Sequence, residues 1–325
     1  MLFTLTMARA VQQGLRQLSD RPFLSVNDLK RDAAMALFSR AKNFYDENVS
    51  GSKHEQSLAG RVILMLFLEP STRTFQSFAS AAQSLGASVQ LFDVEKSSLK
   101  KGESMKDTLR AASALCDALV IRHPQKGFVR EAAELCSVPV INAGDGPGEH
   151  PTQALGDFAT VMGETGRLDN HNIVIGGDLA HSRAIHSFTH IISRFMNDAH
   201  VTCVSEPEIA LPEKYVEQLQ TNNVDVNILH DLSDEVLKDA TIFYVDRCQP
   251  ERFKCSKMYE RVSNKFRITP DKLNSFPSES ILMHPLPREG QLCESVDELP
   301  QSRFFDQQIR WGLAMRKALL ESTLA

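Results

Sequence analysis

The junction at residues 62–75 constrains the fold of this chain more than any other stretch. Val62-Ile63-Leu64-Met65-Leu66 is a short apolar run with branched residues, the pattern of a buried strand. Pro70 ends it, and Phe75, Phe78, Ala79, Ala82 and Leu85 then recur at the three-and-four spacing of an amphipathic helix. Ser71 or Thr72 can cap that helix. A strand that feeds a capped helix aims free backbone N–H groups and the positive end of the helix dipole at one point. Hydroxyls on Ser71, Thr72 and Thr74 add donors there, and Arg73 adds a fork that suits two phosphate oxygens. The turn reads as a phosphate site. An ordinary turn rich in hydroxyls is the bland alternative, and a run of consecutive phosphate-competent side chains at a helix start counts against it.

Strand and helix alternate along the rest of the chain. After a helical opening over Val26 to Asp46, the pattern predicts strands at Val62–Leu66, Ser88–Phe92, Ala118–Ile121 and Val138–Asn142. Helices fall between them, near Thr74, over Ser104–Ala114 and over Gly127–Leu135. A helix over Thr152–Thr165 leads to Gly166-Arg167-Leu168-Asp169-Asn170, where the pattern breaks. Strands then follow at Asn172–Ile175, His200–Val204, Val224–Leu229, Thr241–Val245 and Ile281–Met283, with helices from Ser182 and over Glu213–Gln220, and a last helix over Gln307–Ser322. The fold class is α/β, with two domains, each a parallel sheet with helices on both faces. Ligands in such sheets collect beyond the carboxyl ends of the strands, where Arg122, the Asn142–Gln153 loop and the Ser71–Thr74 turn all fall.

At 325 residues the chain is long enough for two domains. A net charge of −5 gives no reason to expect nucleic acid or a membrane surface, so any anion site must be local. No apolar run is long enough to cross a bilayer. The 6 cysteines are scattered without CxxC or metal-ligand spacing, which fits reduced, mostly buried side chains in a cytoplasmic protein. The first nineteen residues carry Arg9 and Arg16 and no acid, but lack the serine richness of a transit peptide. A short helix lying on the first domain is expected there, and Met1 and Met7 both stand as candidate first residues.

The Glu69-Pro70-Ser71-Thr72-Arg73-Thr74 motif resembles the carbamoyl phosphate signature of the aspartate and ornithine carbamoyltransferases. Further matches follow in that family's order: Lys101-Gly102-Glu103-Ser104, Arg122-His123-Pro124, Asn142-Ala143-Gly144-Asp145-Gly146 and His150-Pro151-Thr152-Gln153. After them come Gly177-Asp178-Leu179 with Arg183, Arg247-Cys248-Gln249 and His284-Pro285-Leu286-Pro287-Arg288. The resemblance implies a carbamoyl phosphate-binding domain over 1–153, with a C-terminal helix, 305–325, packing back on it, and an aspartate-binding domain over 154–304.

By the same resemblance, Ser71, Thr72, Arg73 and Thr74 hold the phosphate. Thr74, Arg122 and His150 point donors at the carbonyl oxygen, and Gln153 binds the carbamoyl amino group. His150 acts as a donor rather than a base. Ser97 and Lys101 lie in a charged loop that would read as a solvated surface on its own. In the resembling family it reaches into a neighbouring subunit's site, which implies a homotrimer with shared active sites and leaves a further regulatory chain open. Ser98 and Lys100 are adjacent alternatives to Ser97 and Lys101. For the acceptor, the resemblance implies Arg183, Arg247 and Gln249, with Lys101, Leu286 and Pro287. Ornithine enzymes typically carry His-Cys-Leu-Pro where this chain has His284-Pro285-Leu286-Pro287. That contrast, with the two arginines, points to L-aspartate and a place in pyrimidine synthesis. No cofactor is implied, and no metal.

The chain departs from the family at Trp311, where Asn is common, and over Phe253–Tyr259, which is one residue longer and carries Lys254 and Lys257. Beside a catalytically dead subunit that serves assembly or binding, which would lack some of the matched anion-binding residues, two other readings compete. One is a carbamoyltransferase for ornithine or a modified amino acid. The other is a dinucleotide-dependent oxidoreductase, suggested by Gly176-Gly177 after a strand and by Glu206 after the next. The spacing there is not GxGxxG, which counts against the second.

Overall fold

The computed structural model describes residues 11–51, 56–248, 253 and 255–324, without the side chain of Met258. Met1, Met7, Arg9, Gln249 and Lys254 lie outside these residues; of the expected N-terminal helix, residues 11–15 are described and are helical. The chain divides into two compact units, one holding residues up to Ala159 with those from Arg310 onward, the other Thr160–Ile309.

The first unit is built on a parallel sheet of β1 (Val62–Phe67), β2 (Ser88–Leu91), β3 (Ala118–His123) and β4 (Val140–Asp145), in the order β2-β1-β3-β4. From β1 the chain winds outward to β2, then returns past β1 to β3, so the winding reverses between β1 and β3. A crevice at such a reversal is where doubly wound sheets bind ligands. Leu64, Leu66, Leu119, Ile121 and Val140 form one buried cluster with Leu109, Ala112, Val129 and Ala132 from the helices that cover the sheet.

The helical opening differs from expectation. Val26–Asp28 is one 3-10 turn, Leu29 is extended, and the long helix runs over Arg31–Ser50. A capping box explains the break: Asp28 Oδ2 accepts the Ser25 N–H at 2.9 Å while Ser25 Oγ accepts the Asn27 N–H at 3.0 Å. The last helix spans Gln307–Leu324. Its Trp311 is buried and stacks on Tyr45, centroids 3.9 Å apart and planes 8° from parallel, so this departure from the family is absorbed by an aromatic contact.

The second unit holds a parallel sheet in the order β7-β6-β5-β8-β9, from β5 (Asn172–Gly176), β6 (His200–Val204), β7 (Asp225–Leu229), β8 (Ile242–Val245) and β9 (Ile281–Met283). The winding reverses here between β5 and β8. The helix Arg183–Phe195 is buried along nearly its whole length. The longer 253–259 segment is helical from Ser256, with Cys255 as its cap.

Among the described residues, no helix is long and apolar enough to cross a membrane, and no group of His, Cys and acids forms a metal cluster. The cysteines are free, but only Cys203 and Cys248 are fully buried; Cys255 is exposed and the others are intermediate, which corrects the expectation that most are buried. Burial pushes the Cys203 and Cys248 thiols up to about 12, so neither is a nucleophile near neutral pH.

Candidate active site

The phosphate turn sits at the reversal of the first sheet. Phe67, the last residue of β1, lies opposite Arg122 of β3, and the Leu68 N–H donates to the Arg122 carbonyl at 2.8 Å. The helix Thr72–Ser84 starts at once after Ser71, its extended N-cap, and has no acid in its first turn. Ser71 caps the helix by backbone position only, because its side chain makes no capping bond. The positive helix end is therefore not neutralised from within, and the exposed Thr72 and Arg73 flank it.

Behind this turn lies a buried polar group. His150 Nε2 stands 3.2 Å from Thr74 Oγ1 and 3.5 Å from Arg122 Nη1. Arg122 also donates to the Ala143 carbonyl at 3.2 Å and pairs through Nε with Glu69 Oε2 at 3.1 Å. Thr74, Arg122 and His150, each under a tenth exposed, come from three elements and converge on one place. The loop that carries the last of them is firmly held. The Asn142 side chain accepts the Gly144 N–H at 2.8 Å and donates to the Leu24 carbonyl at 2.8 Å. Both Asp145 carboxylate oxygens accept the Gly127 N–H. Gly144, at φ +132°, gives Arg122 its room: a Cβ there would lie 2.8 Å from Nη1.

Gln153 sits on the first turn of the helix Pro151–Thr165, and its amide donates to the buried Asp157 at 2.8 Å. That leaves the Gln153 carbonyl oxygen free of this bond. The loop that carries Ser97 and Lys101 is two 3-10 turns, Val94–Lys96 and Ser98–Lys101, with Ser97 between them. The Ser97 hydroxyl donates to the Val94 carbonyl at 2.8 Å, and Lys100 pairs with Glu95 at 2.8 Å. Lys101 is exposed. Of the two adjacent ammonium groups, Lys100 is held inside the loop.

In the second unit the reversal between β5 and β8 carries the acceptor candidates. Arg183 is the first residue of its helix, and Arg247 follows β8 by two positions. Arg247 Nη1 pairs with Glu289 Oε2 at 2.6 Å. Glu289 comes two residues after Pro287; Leu286 has φ +55°, the Leu286–Pro287 bond is cis, and the Leu286 N–H donates to His284 Nδ1 at 2.8 Å. The Gly177 that suggested a nucleotide fingerprint has another cause. At φ +108° it passes so close to β8 that a Cβ would lie 2.1 Å from the Asp246 carbonyl oxygen. Glu206, the acid of that reading, is bound by Lys265 and, at 3.1 Å, by Arg261. Neither residue is arranged for a dinucleotide.

The sequence reading missed Glu69 as the partner of Arg122, Glu289 as the partner of Arg247, and Asp246. Glu69 was visible within the phosphate motif, where an acid beside an anion site needs a cationic partner. Glu289 and Asp246 gave no such signal, because acids near strand ends are ordinary surface residues.

The family model described as aspartate/ornithine carbamoyltransferase, carbamoyl-P binding domain, matches residues 21–163, and the Asp/Orn binding domain of the same family matches 169–323. The aspartate carbamoyltransferase catalytic subunit of Archaeoglobus fulgidus is 41% identical over 305 residues, covering 94% of this chain and 99% of its own. That of Methanosarcina barkeri is 40% identical over 303 residues, covering 93% and 96%. Among solved structures, Trypanosoma cruzi aspartate transcarbamoylase in complex with carbamoyl phosphate superposes with a TM-score of 0.90 at 35% identity, over 96% of this chain and 98% of its own. The same enzyme with N-(phosphonacetyl)-L-aspartic acid gives 0.87 at 35%, over 96% and 97%. This chain belongs to the aspartate/ornithine carbamoyltransferase family.

Proposed function

We propose that the chain transfers the carbamoyl group of carbamoyl phosphate to the amino group of L-aspartate, giving N-carbamoyl-L-aspartate and phosphate, a step of pyrimidine synthesis. The observation that carries the reading is the convergence of Thr74, Arg122 and His150 beside a helix start without a side-chain cap, at the reversal of the first sheet. It offers a phosphate cradle and, next to it, donors for one further oxygen.

Carbamoyl phosphate is a mixed anhydride and needs no covalent catalyst. It needs its leaving group held, and donors for the charge that gathers on the carbonyl oxygen as the amine attacks. Ser71, Thr72, Arg73 and Thr74 bind the phosphate at the helix start. Thr74, Arg122 and His150 stabilise the oxyanion. The Gln153 carbonyl accepts from the carbamoyl amino group, a role supported by the Asp157 bond that occupies its NH₂ end. As the new C–N bond forms and the C–O bond to phosphate breaks, the departing phosphate takes the amine's proton. Metal and cofactor have no step to perform in this scheme.

The second unit supplies the acceptor's counter-charges. Arg183 and Arg247 pair with the aspartate carboxylates, joined by Gln249 and by the Leu286-Pro287 turn. Arg247 already holds a carboxylate, that of Glu289, which supports its fitness for this task.

Ser97 and Lys101 serve the site of a neighbouring chain, in a trimer closed by threefold symmetry, located in the cytoplasm. The exposure of Lys101 supports this reading. Arg73→Ala and Lys101→Ala trimers should each be nearly inactive. Reassembled together they should regain activity, with about one quarter of interfaces intact in a random equimolar mixture. Hybrids as inactive as their parents, with subunit exchange proven, would place Lys101 in its own chain's site. The reaction itself is tested by phosphate release from carbamoyl phosphate. Release should depend saturably on aspartate; release that ignores aspartate would refute the assignment.

A further inference from the structure

The two arginines assigned to the acceptor sit on separate segments, a helix start after β5 and a strand end at β8. Something must fix the distance between them. One buried side chain touches both segments. Asp246 Oδ1 accepts the Arg247 backbone N–H at 2.7 Å, and Asp246 Oδ2 accepts the hydroxyl proton of Ser182. Ser182 is the N-cap of the helix that begins at Arg183, and its oxygen accepts the Ile185 N–H at 3.1 Å. The hydroxyl is thus used twice, as acceptor toward its own helix and as donor toward the other segment. Backbone contacts close the same junction: the Asp246 N–H donates to the Gly176 carbonyl at 3.0 Å, and Gly177 lies against the Asp246 carbonyl.

We propose that Asp246 is a positioning residue that, through Ser182, locks the Arg183 helix start to the Arg247 segment and so sets the spacing of the two guanidinium groups for a dicarboxylate acceptor. The inference rests on the acceptor reading above. Its chemistry asks for a charged group: a carboxylate can accept from both sides at once, and each bond is strengthened by that charge. Burial pushes the Asp246 carboxyl up to about 6, with Asp178 adding to the rise, while the bonds from Ser182 and Arg247 pull it down. The two bonds favour the charged form against that burial. A buried charge of this kind is costly to keep, which is a reason to look for a task beyond stability.

The test separates positioning from folding. Ser182→Ala removes the link between segments together with the helix cap, while Asp246 keeps its bond to Arg247. Asp246→Asn keeps the shape and removes the charge. Each variant should raise KM for aspartate about tenfold, with KM for carbamoyl phosphate within about twofold of wild type, because one charge-assisted link is lost on the acceptor side alone. The double variant should be no worse than the more affected single one, since both act through the same contact. Ser182→Thr, which retains the hydroxyl, should restore most of the affinity. An unmoved KM for aspartate in both single variants, or equal loss for both substrates, would overturn the proposal. Wild-type turnover, measured alongside, keeps the readings apart: if wild type ignores aspartate the acceptor assignment fails, whatever the variants do.

Discussion

Gly144→Ala tests the site without removing any group that would touch a substrate. Gly144 sits at φ +132°, and an added Cβ would come within 2.8 Å of Arg122 Nη1, 3.3 Å of Cζ and 3.5 Å of Cγ. The cheapest relief is to swing the guanidinium away, which gives up its 3.2 Å bond to the Ala143 carbonyl and its place 3.5 Å from His150. If Arg122 stabilises the developing oxyanion, a charge-assisted contact worth about 1.5–3 kcal/mol is lost in the transition state. At about 1.4 kcal/mol per tenfold, kcat/KM for carbamoyl phosphate should fall about ten- to a hundredfold. The unusual φ adds a backbone cost of about 1–3 kcal/mol, visible as a lower melting temperature. Gly127→Ala is the control. It too has positive φ, +89°, but its Cβ would meet nothing within 4 Å, so it should lose stability and keep its rate. Initial rates with carbamoyl phosphate varied at saturating aspartate give the answer. A Gly144→Ala enzyme with wild-type kcat/KM would refute the role given to Arg122.

Further outcomes follow from the same geometry. Arg183→Ala or Arg247→Ala should raise the aspartate requirement about ten- to a hundredfold while carbamoyl phosphate binding stays nearly intact, since each loses a charge-assisted contact; an unchanged aspartate response in both would mean the acceptor site is elsewhere. Glu289→Gln frees Arg247 of a 2.6 Å internal ion pair, so KM for aspartate should fall, and a rise in steady-state KM would show that Glu289 orients Arg247 instead of competing for it. Rates should survive exhaustive chelation, whereas collapse and rescue by one divalent ion would contradict a mechanism run on Arg73, Arg122 and the helix start. Burial holds His186 and His190 down at about 4, against 6.5 unfolded, so their cost appears only in acid. Stability from this source is complete above 6.5 and is lost as pH falls from there toward 4, about 1.4 kcal/mol per histidine by about pH 5.5. Replacing His190 with Gln should flatten the fall of melting temperature between those pH values, and an unaltered slope would contradict the assignment.

Much of the fold was legible because the central strands of these sheets, such as β1, β3 and β8, are compact apolar runs and the helices that cover them keep their spacing. Val62–Phe67 and the helix after it were read to within a residue or two. The Thr74, Arg122 and His150 group was legible only as residues at strand ends and in a loop. Their approach to within 3.5 Å depends on β1 and β3 being neighbours, which no local pattern states. The opening helix was misread because a capping box at Ser25 and Asp28 is hidden inside a segment with good helical spacing. Trp311 looked like a departure because the partner that explains it, Tyr45, lies far away in sequence on another helix. The ion pair Arg247–Glu289 was beyond reach for a related reason: an acid outside any motif shows its partner only when the chain has folded.

The most direct test of the whole account is a label-transfer competition. The purified wild-type chain is given carbamoyl phosphate labelled with ¹³C in the carbonyl, together with equimolar L-aspartate and L-ornithine, and products are separated by mass. The account predicts that the label appears in N-carbamoyl-L-aspartate, matched mole for mole by released phosphate, with none in citrulline. Label in citrulline, or phosphate released without a carbamoylated amine, would contradict it.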